Sequence, residues 1–187
     1  MPCVAPGMGE LAVLEWLQGA APALDGLMEA VSLLATYSAV WLILAFLLTC
    51  TKDYRRAGVA IIVSVAAAYI VSDLILKPLV DRARPYEVAD FELIVAAATT
   101  SSFPSGHVAS SFAAATALFI YNKKAGAAAA AFACLVGVSR MYLYLHWPTD
   151  VLAGAIIGIA VAVLCVWFMS RYIPYYRSLP NPRGGDR

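Results

Sequence analysis

Apolar residues in this chain come in long blocks separated by short polar clusters. Two blocks, Val31–Cys50 and Ala57–Leu76, are mostly apolar, with one acid, Asp73, near the end of the second. About 20 such residues are what a helix needs to cross the hydrocarbon of a bilayer. Three further blocks predict spans over Ser105–Tyr121, over Ala125–Leu145 with Arg140 inside it, and over Pro148–Ser170 with Asp150 in its first turn. Helices are required because lipid cannot satisfy exposed backbone groups.

The stretch Glu10–Glu29 differs. Its apolar run from Leu11 to Leu24 is interrupted by Glu15, Gln18, Gly19 and Pro22. Leu11, Leu14, Glu15 and Gln18 keep helical spacing, but the run is too short and polar to span well. Leu11–Gly19 is therefore read as a helix lying in the interface, anchored by Trp16; a sixth span is the alternative. The expected fold is all-α: a polytopic membrane bundle of about five transmembrane helices plus an N-terminal interfacial helix in residues 1–30. One membrane domain covers 1–172, and 173–187 forms a tail whose end, Pro180–Arg187, is expected to be disordered.

Composition strengthens the membrane reading. Of 187 residues, 62% are hydrophobic and 13% charged, against about 45–50% and about 25% in soluble domains. The length suits one domain. A net charge of +1 gives no basic field for nucleic acid. The cysteines, Cys3, Cys50, Cys134 and Cys165, are scattered and read as small buried hydrophobes, with neither zinc-site nor disulfide spacing. Met1–Gly9 carries no Lys or Arg ahead of an apolar stretch, so the positive region of a signal peptide is not expected.

Five spans place the termini on opposite sides, and basic residues choose the orientation. One side holds Lys52, Arg55, Arg56, Lys123, Lys124, Arg171, Arg177, Arg183 and Arg187, with only Asp53 and Asp186 as acids. The other holds Lys77, Arg82, Arg84 and Arg140 with ten acids. The first side is assigned to the cytoplasm, together with the C-terminus and an aromatic belt of Trp167, Tyr172, Tyr175 and Tyr176. Ala125–Ala133 and Gly154, Ala155 and Gly158 are read as close-packing surfaces.

Three polar clusters then share the outer side. Lys77 to Pro85 carries three cations within eight residues. Phe103-Pro104-Ser105-Gly106-His107 opens the third span; Ser105 is placed to cap it, and a helix N-terminus favours anions. Gly106 allows close backbone approach, and His107 follows. The third cluster runs from Ser139 to Asp150. Its Arg140 lies about one and a half turns inside the span's outer end, where a charge in lipid points to function. Asp150 follows His146 by four residues, with Pro148 favouring a helix start between them. A carboxylate there can hold one imidazole nitrogen and leave the other free. The chain's two histidines both fall in these clusters. Fixed cations, a helix N-terminus, two histidines and an aspartate meet the demands of phosphoryl transfer: charge neutralisation, a nucleophile and an acid for the leaving oxygen.

These clusters resemble the signature of the type 2 phosphatidic acid phosphatase superfamily of membrane lipid phosphatases, which the soluble vanadium haloperoxidases share. Lys77 is followed by six residues and Arg84-Pro85. Pro104-Ser105-Gly106-His107 matches fully, and Ser139-Arg140, His146 and Asp150 keep the family's spacing. The resemblance implies that His146 attacks phosphorus, that Asp150 orients it, and that His107 protonates the leaving oxygen and then activates water. It implies that Lys77, Arg84, Ser105, Gly106 and Arg140 hold the phosphate, with no cofactor and no metal. The shortened N-terminal plan, including Leu24 to Met28, is similar to small prokaryotic members thought to act on polyprenyl diphosphates.

The expectation is thus a lipid phosphatase of the outer membrane surface. Its expected partners are a lipid phosphate and the bilayer, with no nucleic acid and no obligate protein partner. Undecaprenyl diphosphate leads as substrate, with phosphatidic acid and phosphatidylglycerol phosphate behind. A vanadate haloperoxidase and a non-enzymatic transporter or scaffold are the readings from other classes. Asp73, on the same helix face as Lys77, is expected to pair with it, and Arg82 is assigned a surface role, with contact to a second phosphate as the alternative. Tyr142 and Tyr144 are assigned to packing or the interface, and not to proton donation. The loop Tyr86–Thr100 is open between a lid and an interfacial segment.

Overall fold

A computed structural model of the chain describes residues 8–181, except 21, 90 and 92. Cys3, Asp186, Arg183, Arg187, most of Met1–Gly9 and most of the expected disordered tail lie outside the described residues. The described residues form helices and loops, with no strand among them.

The sequence order is α1 (Met8–Ala20), α2 (Asp25–Leu34), α3 (Ala39–Cys50), α4 (Arg55–Tyr69), α5 (Lys77–Val80), α6 (Pro85–Val88), α7 (Gly106–Tyr121), α8 (Lys123–Tyr142), α9 (Pro148–Tyr172) and α10 (Pro174–Ser178). The helical runs that begin at Arg55, Lys123 and Pro148 are long and apolar enough to cross a membrane. The bent pair α2–α3 makes a fourth by the same criterion. Leu33, Leu42, Ile43, Phe46, Leu152, Ile156 and Leu164 are exposed on these elements. Apolar surface of that extent is tolerable in lipid and not in water, as befits an integral membrane protein.

The span expected as one helix over 31–50 is broken. α2 and α3 meet at 50°, because Tyr37 and Ser38 adopt φ of 52° and 56° and a right-handed helix cannot continue through left-handed residues. The Thr36 hydroxyl turns back to the Ser32 carbonyl at 3.1 Å beside the break.

At the centre stands α7, packed against α4, α8 and α9. Its 16 residues reach only about 24 Å, and most of them are buried by neighbouring helices. Small residues make this possible. A side-chain carbon at Gly154 or Gly158 would overlap the backbone oxygens of Ser105 and Ala109, so α9 can lie directly on α7 only with glycine there. Across the bundle, the Trp41 indole donates to the Ser111 hydroxyl at 2.9 Å, which satisfies both groups away from water.

Several expectations change. α1 forms where a surface helix is expected, and Trp16 is exposed, but Leu14 is fully buried against Tyr144 and Trp147. Ahead of the segment expected to be disordered, α10 folds back, burying Tyr176 and Leu179. Tyr176 therefore leaves the expected aromatic belt, hydrogen-bonds Tyr121 and lies under the Arg56 guanidinium, while Trp167, Tyr172 and Tyr175 remain exposed. Cys50 and Cys134 are exposed, not buried, on the outward faces of their helices; a thiol is apolar enough for lipid to take the place of a core.

Candidate active site

The three clusters converge at one end of the bundle, around the N-termini of α7 and α9. Seven residues at Ile70–Leu76 form a π-helical stretch that joins α4 to α5. Such widened turns re-aim side chains and recur at functional sites. Here Asp73 is set against Gly106, where any side-chain carbon would collide with its carboxylate. Asp73 forms an ion pair with Lys77, as the spacing predicts. Lys77 is also 3.5 Å from the Thr100 hydroxyl. Asp81, with φ of 45°, ends α5 and turns the chain into the segment carrying Arg82 and Arg84.

Arg84 is buried and held by oxygen on three sides. It donates to the carbonyls of Thr100 and Leu145 at 2.7 Å each and, more loosely, to the Ser101 carbonyl and Thr100 hydroxyl at 3.3 Å. None of these acceptors carries a charge, so the guanidinium's positive charge remains available to an anion. Arg140 donates to the Ser32 hydroxyl at 2.5 Å, while its buried Nε has no hydrogen-bond partner. The Ser105 hydroxyl is likewise buried and unpartnered. It sits at the N-cap of α7 but makes no capping bond, contrary to the expected cap. Buried polar atoms left unsatisfied are costly and call for explanation. Two of them here face the same end of the bundle as Lys77 and Arg84, a donor set suited to a phosphate.

His146 lies in the tight loop between α8 and α9, fixed by its own N–H to the Arg140 carbonyl at 3.2 Å and by Tyr144 at φ 53°. Its ring is 1% exposed. Nδ1 is 2.8 Å from the Ser102 carbonyl. A carbonyl can only accept, so Nδ1 carries the proton and Nε2 keeps its lone pair. Asp150 was expected to hold the imidazole directly. Its Oδ2 is instead 3.7 Å from Nδ1, beyond hydrogen-bond range. The carboxylate reaches the ring through Ser102, whose hydroxyl donates to Oδ2 while its carbonyl accepts from the imidazole N–H. Asp150 also accepts the Trp147 N–H at 3.0 Å, which caps α9 behind Pro148.

Burial pushes the His146 imidazole down to about 3 from an ordinary 6.5; Arg84 and Arg140 act in the same direction and Asp150 opposes them. The unfolded chain then binds the extra proton between these values, so this group's contribution to stability is lost as pH falls below about 6.5 towards 3. Unfolding midpoints in detergent between pH 7 and about 4 should therefore drop less steeply for His146→Gln than for wild type. Parallel curves would contradict a neutral buried ring.

His107, in the first turn of α7, forms no hydrogen bond among the described residues and lies within electrostatic reach of His146, Arg140, Lys77 and Arg84. It lines a cavity of about 580 Å³ together with Arg140, Leu145, Ser32, Tyr37, Ile94 and Val95. A smaller adjoining space, about 230 Å³, is lined by His107, Gly106, Lys77 and Thr100 among others. The loop 86–100 is thus a wall of the site: Ile94 and Val95 pack on Leu143 and Leu145, and Phe91 stacks on Tyr144 at 3.7 Å. Tyr142 is buried in the same cluster and donates to Asp25.

Two residues escape sequence reasoning. Ser102 precedes the Pro-Ser-Gly-His motif and acts partly through its backbone. Arg82, assigned to the surface, is nearly buried and bonded to Asp150. Among the described residues no group of three or more His, Cys, Asp or Glu is placed to hold a metal ion.

The convergence of the motifs agrees with what the chain is similar to. The family model of the PAP2 superfamily matches residues 57–174. The chain belongs to the PAP2 superfamily. Among PAP2 and related proteins, it is 32% identical over 129 residues to an undecaprenyl-diphosphatase of Sulfolobus acidocaldarius, covering 68% of this chain and 62% of that protein. It is 27% identical over 124 residues to the undecaprenyl-diphosphatase BcrC of Bacillus subtilis, covering 66% and 62%. The match therefore spans less than two thirds of either relative. In three dimensions the chain superposes on Aquifex aeolicus LpxE with a TM-score of 0.79 at 25% identity, covering 89% of this chain and 99% of that one. The PAP2-type phosphatidylglycerolphosphate phosphatase of Bacillus subtilis gives 0.68 at 25% identity, covering 90% of each.

Proposed function

We propose that this PAP2 protein is an integral membrane lipid phosphatase that removes a phosphate from a lipid phosphate or diphosphate through a phosphohistidine on His146. The observation that carries the reading is the Ser102 carbonyl on Nδ1, which leaves the opposite nitrogen, Nε2, with its lone pair on a ring within electrostatic reach of Arg84 and Arg140.

In the first step Nε2 attacks phosphorus and the bond to the leaving oxygen breaks. His107 gives that oxygen its proton. The positive charge that builds on His146 is offset by Asp150, directly across 3.7 Å and through Ser102. Lys77, Arg84, Arg140, the Ser105 hydroxyl and the Gly106 N–H neutralise the equatorial oxygens. In the second step His107 takes a proton from water. The water oxygen bonds to phosphorus, the P–N bond breaks, and inorganic phosphate leaves a neutral His146.

Undecaprenyl diphosphate is the leading substrate, converted to its monophosphate. Two relatives bearing that activity in their names support this choice, and so does a cavity with apolar walls beside the cationic cradle. Phosphatidylglycerol phosphate is the second reading, favoured by the likeness to the Bacillus phosphatase; phosphatidic acid ranks with it. The basic residues that the sequence assigns to the opposite side, nine against four, support an outward-facing site and a cytoplasmic C-terminus.

Phosphate release by the purified protein from these three lipids tests the choice. The expected order puts undecaprenyl diphosphate first in kcat/KM, and a higher value for either phospholipid overturns it. Activity should survive EDTA unchanged, since the proposed chemistry uses only groups of the chain itself. Loss of activity that added divalent metal restores would contradict it.

A further inference from the structure

The proposed chemistry gives no role to one largely buried cation near the site. Arg82 lies between Lys77 and Arg84, yet it is bonded away from the cavity. Its Nη1 donates to Asp150 Oδ1 at 2.7 Å and to the Thr149 hydroxyl at 2.6 Å, and its Nη2 donates to Glu10 Oε2 at 2.7 Å. Its guanidinium lies 5.3 Å from the centre of the Trp147 ring. Glu10 completes the cluster by accepting from the Thr149 hydroxyl at 2.7 Å and the Thr149 N–H at 3.2 Å. One side chain thus joins α1, the loop after α5 and the first turn of α9.

Asp150 is fully buried. An ionised carboxylate in that position is costly unless it is paired and hydrogen-bonded. The Ser102 hydroxyl and the Trp147 N–H satisfy Oδ2. Arg82 satisfies Oδ1 and is the one cation bonded to Asp150 among the described residues. The planar fork lets Arg82 hold Asp150 with one nitrogen and Glu10 with the other, which a lysine cannot reproduce. Leu14, one turn along α1 from Glu10, anchors the helix on Trp147 and Tyr144.

We propose that Arg82 and Glu10 are positioning residues for the phosphatase reaction: the N-terminal helix, through Glu10 and Arg82, holds Asp150 charged and in register with Ser102 and His146. The inference rests on the reading of His146 as nucleophile. Arg82 touches neither phosphate nor water in this account. It acts through Asp150, so its loss should slow turnover and leave substrate binding alone. That separates it from Arg84 and Arg140, whose loss should raise KM as well.

The experiment compares Arg82→Gln, Arg82→Lys, Glu10→Gln and the Arg82→Gln/Glu10→Gln pair in the purified full chain, with undecaprenyl diphosphate and with p-nitrophenyl phosphate. Partners that orient metal-ligating histidines cost about 10–100-fold in activity when lost, and the same scale is expected for a group that orients His146 through Asp150. Arg82→Gln should lower kcat by about that factor, with KM within roughly threefold of wild type. Arg82→Lys should recover only part of the loss. Glu10→Gln keeps the shape of a partly exposed side chain and should lower kcat by a smaller factor. The double variant should be no slower than Arg82→Gln, because Glu10 acts through Arg82.

Wild-type kcat in Arg82→Gln, a loss confined to KM, or independent multiplication of the two effects overturns the proposal. Should Arg82→Gln fail to fold, Glu10→Gln decides alone: unchanged kcat overturns the inference and lowered kcat at unchanged KM upholds it. His146→Ala, run alongside, tells the two readings apart. An active His146→Ala removes the nucleophile reading itself, whereas an inactive His146→Ala beside a fully active Arg82→Gln removes only the positioning role.

Discussion

Replacing His146 with alanine should reduce phosphate release to the level of a blank membrane, a loss on the order of 10⁶, as for the nucleophiles of other covalent enzymes. The size of the effect follows from the site. His146 is 1% exposed and pinned at Nδ1 by a backbone carbonyl, so a single nitrogen is left to act. No other group among the described residues combines a free lone pair, burial and a hydrogen bond that fixes its tautomer. Alanine also removes the acceptor for phosphorus while leaving the cationic cradle in place, so lipid phosphate should still bind. Equilibrium binding of the substrate to His146→Ala should stay within about tenfold of the wild-type value, one decade being 1.4 kcal/mol. Turnover near wild type would remove His146 as nucleophile. Lost binding together with lost turnover would recast it as a ligand of the phosphate.

His107→Ala carries the second large effect. General acid catalysis contributes about 10²–10⁴-fold, and a lipid phosphate is a poor leaving group that needs its proton. The expected loss on undecaprenyl diphosphate lies in that range. On p-nitrophenyl phosphate, whose phenolate leaves without help, the first step should be nearly unaffected, and water activation becomes the slow step. The signature is a burst of nitrophenol followed by slow turnover. Equal losses on both substrates with no burst would argue that His107 serves the cradle as a hydrogen-bond donor and not as acid and base.

How legible was this from residues alone? The three clusters announced themselves because their chemistry depends on side-chain type at fixed spacing: Lys77 and Arg84-Pro85, Ser105-Gly106-His107, and Arg140, His146 and Asp150. The structure brings all of them to one end of the bundle. The π-helical stretch under Asp73 and the central α7 explain how distant segments meet. What stayed hidden was carried by backbone or by tertiary placement. Ser102 holds His146 through its carbonyl, which every residue type possesses. Arg82 reads as one cation of a surface cluster until α1 and α9 close over it. Ser105 looks like a helix cap, yet its hydroxyl is left without a partner at the site. The break after α2 carries neither Gly nor Pro; its left-handed residues are Tyr37 and Ser38, types that give no such signal. Cys50, Cys134 and Tyr176 depart from expectation for a related reason. Hydrophobicity in a membrane protein does not distinguish a face turned to lipid from one turned to the core, so Cys50 and Cys134 point outward while Tyr176 turns in.

The central claim is a covalent bond between phosphorus and His146, and trapping it is the most direct test. His107→Ala should accumulate the intermediate from radiolabelled p-nitrophenyl phosphate, because the first step proceeds and the second stalls. After a rapid alkaline detergent quench, the account predicts near-stoichiometric label that acid removes and base does not, as for a phosphoramidate. Proteolysis should place that label on the peptide containing His146. Label on any other residue, or a nitrophenol burst with no labelled protein, would contradict it.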